Sequence, residues 1–229
     1  MTNYKDLYSI LQALQEEARE IDPYLANKIQ KILNWIKDYK IGILKSKRYV
    51  YHFLRQFIQD SEIHILLNSI SNEEERISFL EHLTYVERYW YEEMFPNWLK
   101  KEDTKFRIWK QKLKEGLEES DNKYLQNFHK SINSKPDSDS LYRYIADFSM
   151  ATDIIVSYSK QKACVQLTTS QFKYCGKKIQ NWEETLRYWD INKGIFVSFD
   201  PNQELQRVVN QILWKANHLK EPEYSKLEL

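Results

Sequence analysis

Apolar side chains recur every three or four residues through the first part of the chain, and this spacing gives a helix one buried face. The pattern predicts a first helix with Leu7, Leu11 and Leu14 on its apolar side. Similar stripes predict further helices around residues 23–36, 53–58, 80–90, 106–117 and 124–128. The amino-terminal region is therefore predicted to be helical throughout.

Particular residues mark where these helices are expected to begin and end. Ser71 with Glu74 is predicted to form a capping box, in which each side chain satisfies a backbone amide of the first turn. Gly42 and Gly116 are predicted to interrupt helices because a residue without a side chain permits a turn. Pro96 is predicted to end a helix because proline has no amide hydrogen.

The pattern changes after residue 130. Residues 131–140 are polar and contain Pro136, so this stretch is predicted to be a linker. Beyond it, apolar runs and helical stripes predict strands at 154–158, 163–169 and 194–199 and helices at 141–148, 179–189 and 205–213. We place a domain boundary here, with a helical region at residues 1–135 and a small α/β domain at residues 136–229.

The amino-acid composition also favours a folded, mostly helical chain. The chain has 229 residues, of which 42% are hydrophobic and 14% are aromatic, so it can bury a sizeable core. Only four glycines and five prolines occur, which favours long helices with few tight turns. The predicted fold class is α+β and mostly helical.

Charge and cysteine content bear on which partners and which cellular compartment the protein is expected to have. The chain has 34 basic and 33 acidic residues, so any contact with nucleic acid has to come from a local patch. Cys164 and Cys175 lack the spacing of a metal site, and two thiols make no disulfide framework, which favours a reducing cytoplasm. The amino terminus has no apolar signal segment, and no apolar run has the length of a membrane span. We expect a cytoplasmic protein with no membrane partner.

Polar residues cluster on one face of the predicted hairpin. Side chains alternate along a strand, so Gln166 and Thr168 project from the face opposite to the apolar one. The apolar face carries Ala163, Val165 and Leu167. Asp153 opens the preceding strand. Such a hairpin can hold a metal ion.

The order helix, strand, strand, helix, strand from Leu141 to Phe199 resembles the core of the PD-(D/E)xK superfamily of restriction-endonuclease-like nucleases. In that family an acid on the first hairpin strand is followed on the second strand by Glu or Gln, any residue, and then Lys. Asp153 matches the acid and Gln166 matches the Glu or Gln. The resemblance covers the last two-fifths of the chain, and it implies a restriction-endonuclease-like domain that binds magnesium and hydrolyses phosphodiester bonds.

The resemblance also implies roles for single residues. Asp153 and Gln166 would be the metal ligands, with the backbone carbonyl of Leu167 as a further oxygen donor. Thr168 stands where the family carries its lysine, and a threonine supplies no cation. Lys162 in the hairpin turn is therefore grouped with Asp153, Gln166 and Thr168 as a catalytic candidate. Other residues to consider are Lys160, Lys173, Lys177 and Lys178 as displaced lysines and Asp147 as an extra acid.

Two functions are compatible with these residues. The first is a nucleic-acid-processing protein with a divergent, magnesium-dependent endonuclease-like domain. The second is a catalytically inactive nuclease scaffold that binds nucleic acid or a protein partner, with self-association through the helical region. Asp153, Gln166 and Thr168 would then be ordinary polar residues of a sheet. No glycine-rich phosphate loop occurs, so no nucleotide-cofactor site is predicted.

Overall fold

The structure is a computed structural model, and it describes residues 4–37, 48–115 and 119–229. The chain divides into two compact units, one within residues 1–83 and 98–117 and the other within residues 84–97 and 118–229. In the described ranges, no helix combines the length and the apolar character that crossing a bilayer requires. The predicted fold class, α+β and mostly helical, is confirmed.

The first unit consists of helices. They are α1 (Tyr4–Ile21), α2 (Pro23–Lys37), α3 (Arg48–Ser69), α4 (Glu73–Glu81) and α7 (Phe106–Glu115), together with the end of α6 (Phe95–Lys100). Asp22 joins three of them, because its Oδ1 accepts the backbone amide of Tyr24 at 2.8 Å and its Oδ2 lies 2.7 Å from Nε2 of His64. One carboxylate therefore caps α2 and ties the turn between α1 and α2 to α3.

Aromatic rings fill the core of the first unit around a second carboxylate. Oδ2 of Asp103 accepts the indole N–H of Trp98 at 3.0 Å and that of Trp109 at 2.9 Å. Both tryptophans are buried, and Phe57 meets the Trp98 ring edge-on at 6.0 Å between centroids. A buried indole N–H without an acceptor is destabilising, so Asp103 lets two large rings pack without leaving a polar group unsatisfied.

The second unit contains a sheet and the helices around it. Its elements are α5 (Tyr85–Tyr89), a π-helical turn (Trp90–Met94), the start of α6, α8 (Glu119–Asn133), β1 (Ser138–Leu141), α9 (Tyr144–Met150), β2 (Ile154–Tyr158), β3 (Gln161–Thr168), a 3₁₀ turn (Phe172–Tyr174), α10 (Gly176–Tyr188), β4 (Lys193–Ser198), α11 (Leu205–His218) and β5 (Glu223–Glu228).

The strands follow one another across the sheet in chain order. The pairs β1–β2 and β2–β3 are antiparallel, whereas β3–β4 and β4–β5 are parallel. Parallel neighbours need a crossover connection, which α10 and α11 supply. The carboxyl ends of β3, β4 and β5 therefore share one edge of the sheet with the amino end of β2.

Helices cover both faces of this sheet. On one face, α8 and α11 pack against the apolar side chains of the strands, which include Ile154, Val156, Ala163, Val165, Ile195 and Val197. On the other face, Met94 contacts Cys164, and Trp182 of α10 meets Phe196 with 5.6 Å between ring centroids. The predicted apolar face of β3 is confirmed, because Ala163 and Val165 belong to the apolar core. The opposite face is polar only toward the end of the strand, since Cys164 is buried there against Met94.

The stretch at residues 131–140 is not a linker, contrary to the prediction. Helix α8 extends to Asn133, and residues 138–141 form β1, which pairs with β2. The Ser138 hydroxyl donates to the carbonyls of Ile132 and Lys135, at 2.5 and 3.0 Å, and this ties the strand to the end of α8. The polar sequence forms a strand because its neighbour supplies the ladder. A domain boundary between residues 135 and 136 stays a prediction about independent folding.

Two predicted helix boundaries are wrong. Helix α4 is capped by Asn72, whose side chain accepts the amide of Glu74, and the capping box is formed by Thr84 with Glu87 instead of Ser71 with Glu74. Pro96 lies inside α6 and does not end a helix. The π-helical turn directly before it widens the backbone, which relieves the clash between a proline ring and the preceding turn. Gly42 and Gly116 lie outside the described residues.

A glycine in β4 determines how closely α10 approaches the sheet. A Cβ atom placed on Gly194 would lie 2.4 Å from Cδ1 of Leu186 and 2.8 Å from Cζ2 of Trp182. Both contacts are far shorter than packed carbon atoms tolerate. The missing side chain is therefore a condition for the packing of α10 on this face.

We expect Gly194→Ala to lower the free energy of unfolding by about 1–3 kcal/mol, because the added methyl group overpacks the contact with α10. Gly176, at the start of α10, is a matched control, since a Cβ there would meet nothing within 4 Å. Gly176→Ala should change stability by less than about 0.5 kcal/mol. Urea denaturation of both variants measures the difference, and equal stabilities would contradict the close packing.

Candidate functional site

The pairing of β2 with β3 places the two residues that carry the resemblance opposite each other. Ile154 pairs with Val165, so the same register continued by one residue sets Asp153 against Gln166. The backbone amide of Asp153 donates to the Val165 carbonyl at 2.9 Å, which continues the ladder to this point. Opposed residues of an antiparallel pair project from the same face. Asp153 and Gln166 therefore share the face opposite to the core under α8 and α11, at the polar end of that face.

The Asp153 carboxylate lies at the centre of this group. Its Oδ2 accepts the side-chain amide of Gln166 at 2.5 Å and the backbone amide of Leu167 at 2.6 Å. Asp153 and Gln166 are both partly exposed. The structure thus brings an acid and an amide into direct contact at a sheet edge that solvent reaches.

A phenol and a second acid lie near Asp153. The hydroxyl of Tyr142 donates to Oδ2 of Asp147 in α9 at 3.0 Å. Burial and the negative charge of Asp147 raise the pKa of Tyr142 far above its usual value, and the charge of Asp153 adds to the shift. Tyr142 therefore stays protonated and acts as a hydrogen-bond donor. Asp147, considered in the sequence as an extra acid, belongs to the surroundings of the same sheet edge.

Thr168 organises the turn that follows β3. It is buried, and its hydroxyl oxygen accepts the backbone amide of Ser170 at 3.2 Å. Ser198, its partner on β4, donates a hydroxyl hydrogen bond to the Ser170 carbonyl at 2.7 Å. A threonine that accepts the amide two residues later is a recognised turn device, and this signal was available in the sequence. Thr168 thus has a structural role where the family pattern has lysine.

Lys162 lies at the other end of β3. It pairs with Ser157. Lys162 precedes Gln166 by four positions in the strand, so their Cα atoms lie about 13 Å apart. Its ammonium forms an ion pair with Glu93 and lies 4.2 Å from the ring centroid of Tyr89. The structure does not bring Lys162 to Asp153.

Lys178 is the lysine that the structure places over the polar face beside Gln166. Phe196 of β4 is the register partner of Gln166, and Nζ of Lys178 lies 5.9 Å from the Phe196 ring centroid. The residue is exposed and lies in the first turn of α10. In the sequence it was one of several lysines considered, and no local signal separated it from Lys173 or Lys177.

The donor atoms at this edge suit a hard divalent cation in type but not in charge. A carboxylate comes from Asp153 and a backbone carbonyl from Leu167, and oxygen is the ligand that magnesium prefers. The Gln166 amide points its nitrogen at both of them, at 2.5 and 3.4 Å, so it has to rotate before its oxygen can serve as a ligand. Only Asp153 among them is negative. Within the described ranges, no three or more His, Cys, Asp or Glu residues converge as a metal-binding group. A magnesium ion here would need substrate phosphate oxygens to complete its ligand shell.

No protein-family model, no curated protein and no solved structure matches this chain. Function therefore has to be inferred from the residues at this end of the sheet.

A separate feature, in the first unit, is a recess that contains a buried lysine. Its walls come from Lys28, Lys31, Trp98, Glu102, Asp103 and Phe106. Nζ of Lys28 donates to the Lys101 carbonyl at 2.8 Å and lies 4.3 Å from the Trp98 ring centroid. Burial lowers the pKa of Lys28 to about 8, although the charge of Asp103 acts in the opposite direction.

The lowered pKa of Lys28 predicts a pH-dependent stability. Below pH 8 the buried ammonium destabilises the fold, because the unfolded chain, with a lysine pKa near 10.5, holds the proton more tightly. This penalty, about 3 kcal/mol at most, is lost as the pH rises from about 8 to 10.5. Stability relative to a Lys28→Met variant should therefore rise over this window.

Urea denaturation of the wild-type protein and of Lys28→Met at several pH values between 7 and 10 measures this difference. Lys37→Met is the matched control, because Lys37 is exposed on the same helix but does not line the recess. Parallel pH profiles for wild type and Lys28→Met would contradict the assignment.

Proposed function

We propose that this protein processes nucleic acid through a divergent, metal-dependent endonuclease-like domain that hydrolyses phosphodiester bonds. The observation that carries the proposal is the contact between Asp153 and Gln166 at the sheet edge where β3 and β4 end. Ligand sites of α/β sheets commonly lie at the carboxyl ends of parallel strands. The two residues are those that match the acid and the Glu or Gln of the PD-(D/E)xK pattern.

The strand arrangement adds support. The resemblance implies a hairpin followed by a helix and a third strand, and the chain has β2 and β3 as an antiparallel pair, α10 as the crossover and β4 parallel to β3. Helices lie on both faces of this sheet, as the resemblance also implies. A restriction-endonuclease-like core is thus the interpretation that the order and the directions of the strands favour.

In this proposal, Asp153 is the charged ligand of a magnesium ion and the Leu167 carbonyl is a neutral one. Gln166 becomes a second neutral ligand once its amide rotates to turn its oxygen toward the ion. Bound magnesium lowers the pKa of a coordinated water and neutralises charge that develops on phosphate. The backbone amide of Leu167 holds the Asp153 carboxylate in place by donating a 2.6 Å hydrogen bond to its Oδ2. Because the site is poor in charge, the substrate has to contribute ligands, and activity should need a high metal concentration.

Lys178 takes the role of the missing motif lysine in this proposal. Its ammonium reaches the polar face next to the register partner of Gln166, so it can contact a phosphate held at Asp153. A lysine acts on phosphate as a point charge, and such a charge does not depend on its place in the motif. Thr168, which is committed to the turn, has no such role.

We expect Asp153→Asn to lower cleavage of DNA or RNA by at least about a hundredfold, because the substitution removes the only negative ligand. Cleavage of labelled single-stranded and duplex substrates is measured with magnesium and with manganese. Asparagine keeps the size of the side chain and an oxygen that accepts the Leu167 amide, so the fold should persist, as circular dichroism can verify. Glu184→Gln, at an exposed site on α10, is the control.

Cleavage that persists in Asp153→Asn at the wild-type rate would remove the site assignment. Cleavage absent from the wild-type protein over a range of metal concentrations would remove the endonuclease proposal.

We expect Lys178→Ala to lower cleavage by about tenfold to a hundredfold, because one cation next to the reacting phosphate is lost. Lys130→Ala is the control, since Lys130 is also exposed but lies on α8, which packs on the other face of the sheet. Equal losses in the two variants would indicate a general effect of charge instead of a placed lysine.

The second candidate function is a catalytically inactive scaffold that binds nucleic acid or a protein partner. The commitment of Thr168 to a turn and the ion pair of Lys162 with Glu93 favour it. Titration calorimetry with manganese, on protein saturated with a non-cleavable strand, separates the two candidates. An endonuclease-like site should give saturable heat that Asp153→Asn abolishes, whereas an inactive scaffold should give the same heat in wild type and in Asp153→Asn. Self-association through the helices of the first unit would appear as a concentration-dependent mass.

A further inference from the structure

Tyr174 is a strongly exposed aromatic residue on the same side of the sheet edge as the candidate site. Its side chain is 75% exposed, more than any other large hydrophobic residue in the described part of the chain. It ends the 3₁₀ turn between β3 and α10. Single exposed aromatic residues are common on protein surfaces, so the charges around Tyr174 have to identify its ligand.

The backbone that carries Tyr174 is fixed to the sheet. The Ser170 carbonyl accepts the hydroxyl of Ser198 at 2.7 Å, and the thiol of Cys175 lies 3.6 Å from the same carbonyl. The amide of Tyr174 donates to Gln171 at 3.0 Å, and that of Cys175 donates to Phe172 at 2.9 Å. These hydrogen bonds hold the turn in place, so the backbone position of Tyr174 is fixed relative to the sheet.

The segment that carries Tyr174 has charge of one sign. Residues 163–182 contain three lysines, no arginine and no acidic residue, whereas the chain as a whole has a formal net charge of +1. Lys173, Lys177 and Lys178 are all exposed within this segment, and Nζ of Lys173 lies 4.9 Å from the Tyr174 ring centroid. An anionic ligand with flat rings is complementary to this surface.

The surface adjoins the proposed catalytic edge. Lys178 contacts Phe196, Phe196 is the register partner of Gln166, and Gln166 bonds to Asp153. Neighbouring strands lie about 4.8 Å apart, so these steps cover a short distance across one face. A chain bound along the lysines would pass close to Asp153.

We propose that residues 171–178 form a binding surface for an unpaired nucleic-acid strand, with Tyr174 stacking on a base and Lys173 and Lys177 contacting the flanking phosphates. This inference rests on the proposed nucleic-acid function and adds a strand preference to it. A base stacks on a protruding phenol only when it has left its own stack, so single strands, loops and frayed ends are preferred over intact duplex.

The test measures binding in EDTA, where no metal-dependent cleavage occurs. Fluorescence anisotropy gives the affinity for a labelled single-stranded oligonucleotide of mixed sequence and for its blunt duplex, each over a series of salt concentrations. We expect the single strand to bind at least about tenfold more tightly. Tyr174→Ala should weaken single-strand binding by about tenfold, whereas Tyr174→Phe, which keeps the ring, should bind within about twofold of wild type.

The lysines should give a different signature from the ring. Lys173→Ala and Lys177→Ala should each lower the slope of log affinity against log salt by about 0.7, whereas Tyr174→Ala should leave the slope unchanged. Trp214→Ala is the control for loss of an exposed aromatic side chain, because Trp214 is 58% exposed on α11, which packs on the other face of the sheet. It should bind like wild type.

Duplex binding equal to or tighter than single-strand binding overturns the inference, as does wild-type affinity in Tyr174→Ala or no binding to any oligonucleotide. The outcome is separate from that of the cleavage experiment. Strand binding through Tyr174 without cleavage would support this surface and remove the endonuclease proposal, and cleavage with binding independent of Tyr174 would do the reverse.

Discussion

The antiparallel pairing of β2 with β3 is the interaction on which the second unit depends. Its register is fixed by burial, because Ile154 and Val156 of one strand and Ala163 and Val165 of the other belong to the apolar core under α8 and α11. A slip by one residue would turn every one of these side chains to the opposite face. The same register puts Asp153 against Gln166, so the hydrophobic core determines the geometry of the polar edge.

Thr168, in the position where the family pattern has lysine, stabilises the turn after β3 and takes no part in the proposed chemistry. Thr168 and Ser198 hold Ser170, and this anchors the backbone from which α10 begins. A cation at the sheet edge then has to come from the helix, where packing rather than strand register sets its place. Gly194 permits that packing, so the position of Lys178 depends on a residue that carries no functional group.

Much of the second unit could be predicted from sequence, and the failures have a common cause. Strands β2, β3 and β4 have apolar runs or alternation, and Asp153 and Gln166 were found because they lie on this hairpin. Strands β1 and β5 are mostly polar, and each exists because a neighbour supplies its hydrogen bonds. The sequence could not show that Lys178, and not another lysine, lies near Gln166. Its position is set by the packing of α10 on the sheet, which the spacing of residues along the chain does not reveal.

Charge links the two activities proposed for this edge. The three exposed lysines that follow β3, Lys173, Lys177 and Lys178, make the surface beside Asp153 attract phosphate more strongly than it attracts a divalent cation. A bound strand would reverse that balance, because its phosphates bring the negative charge and the oxygen ligands that Asp153 alone lacks. Binding of strand and of metal should then strengthen each other by the same factor, as linkage requires. The metal site is thus a property of the complex more than of the protein alone.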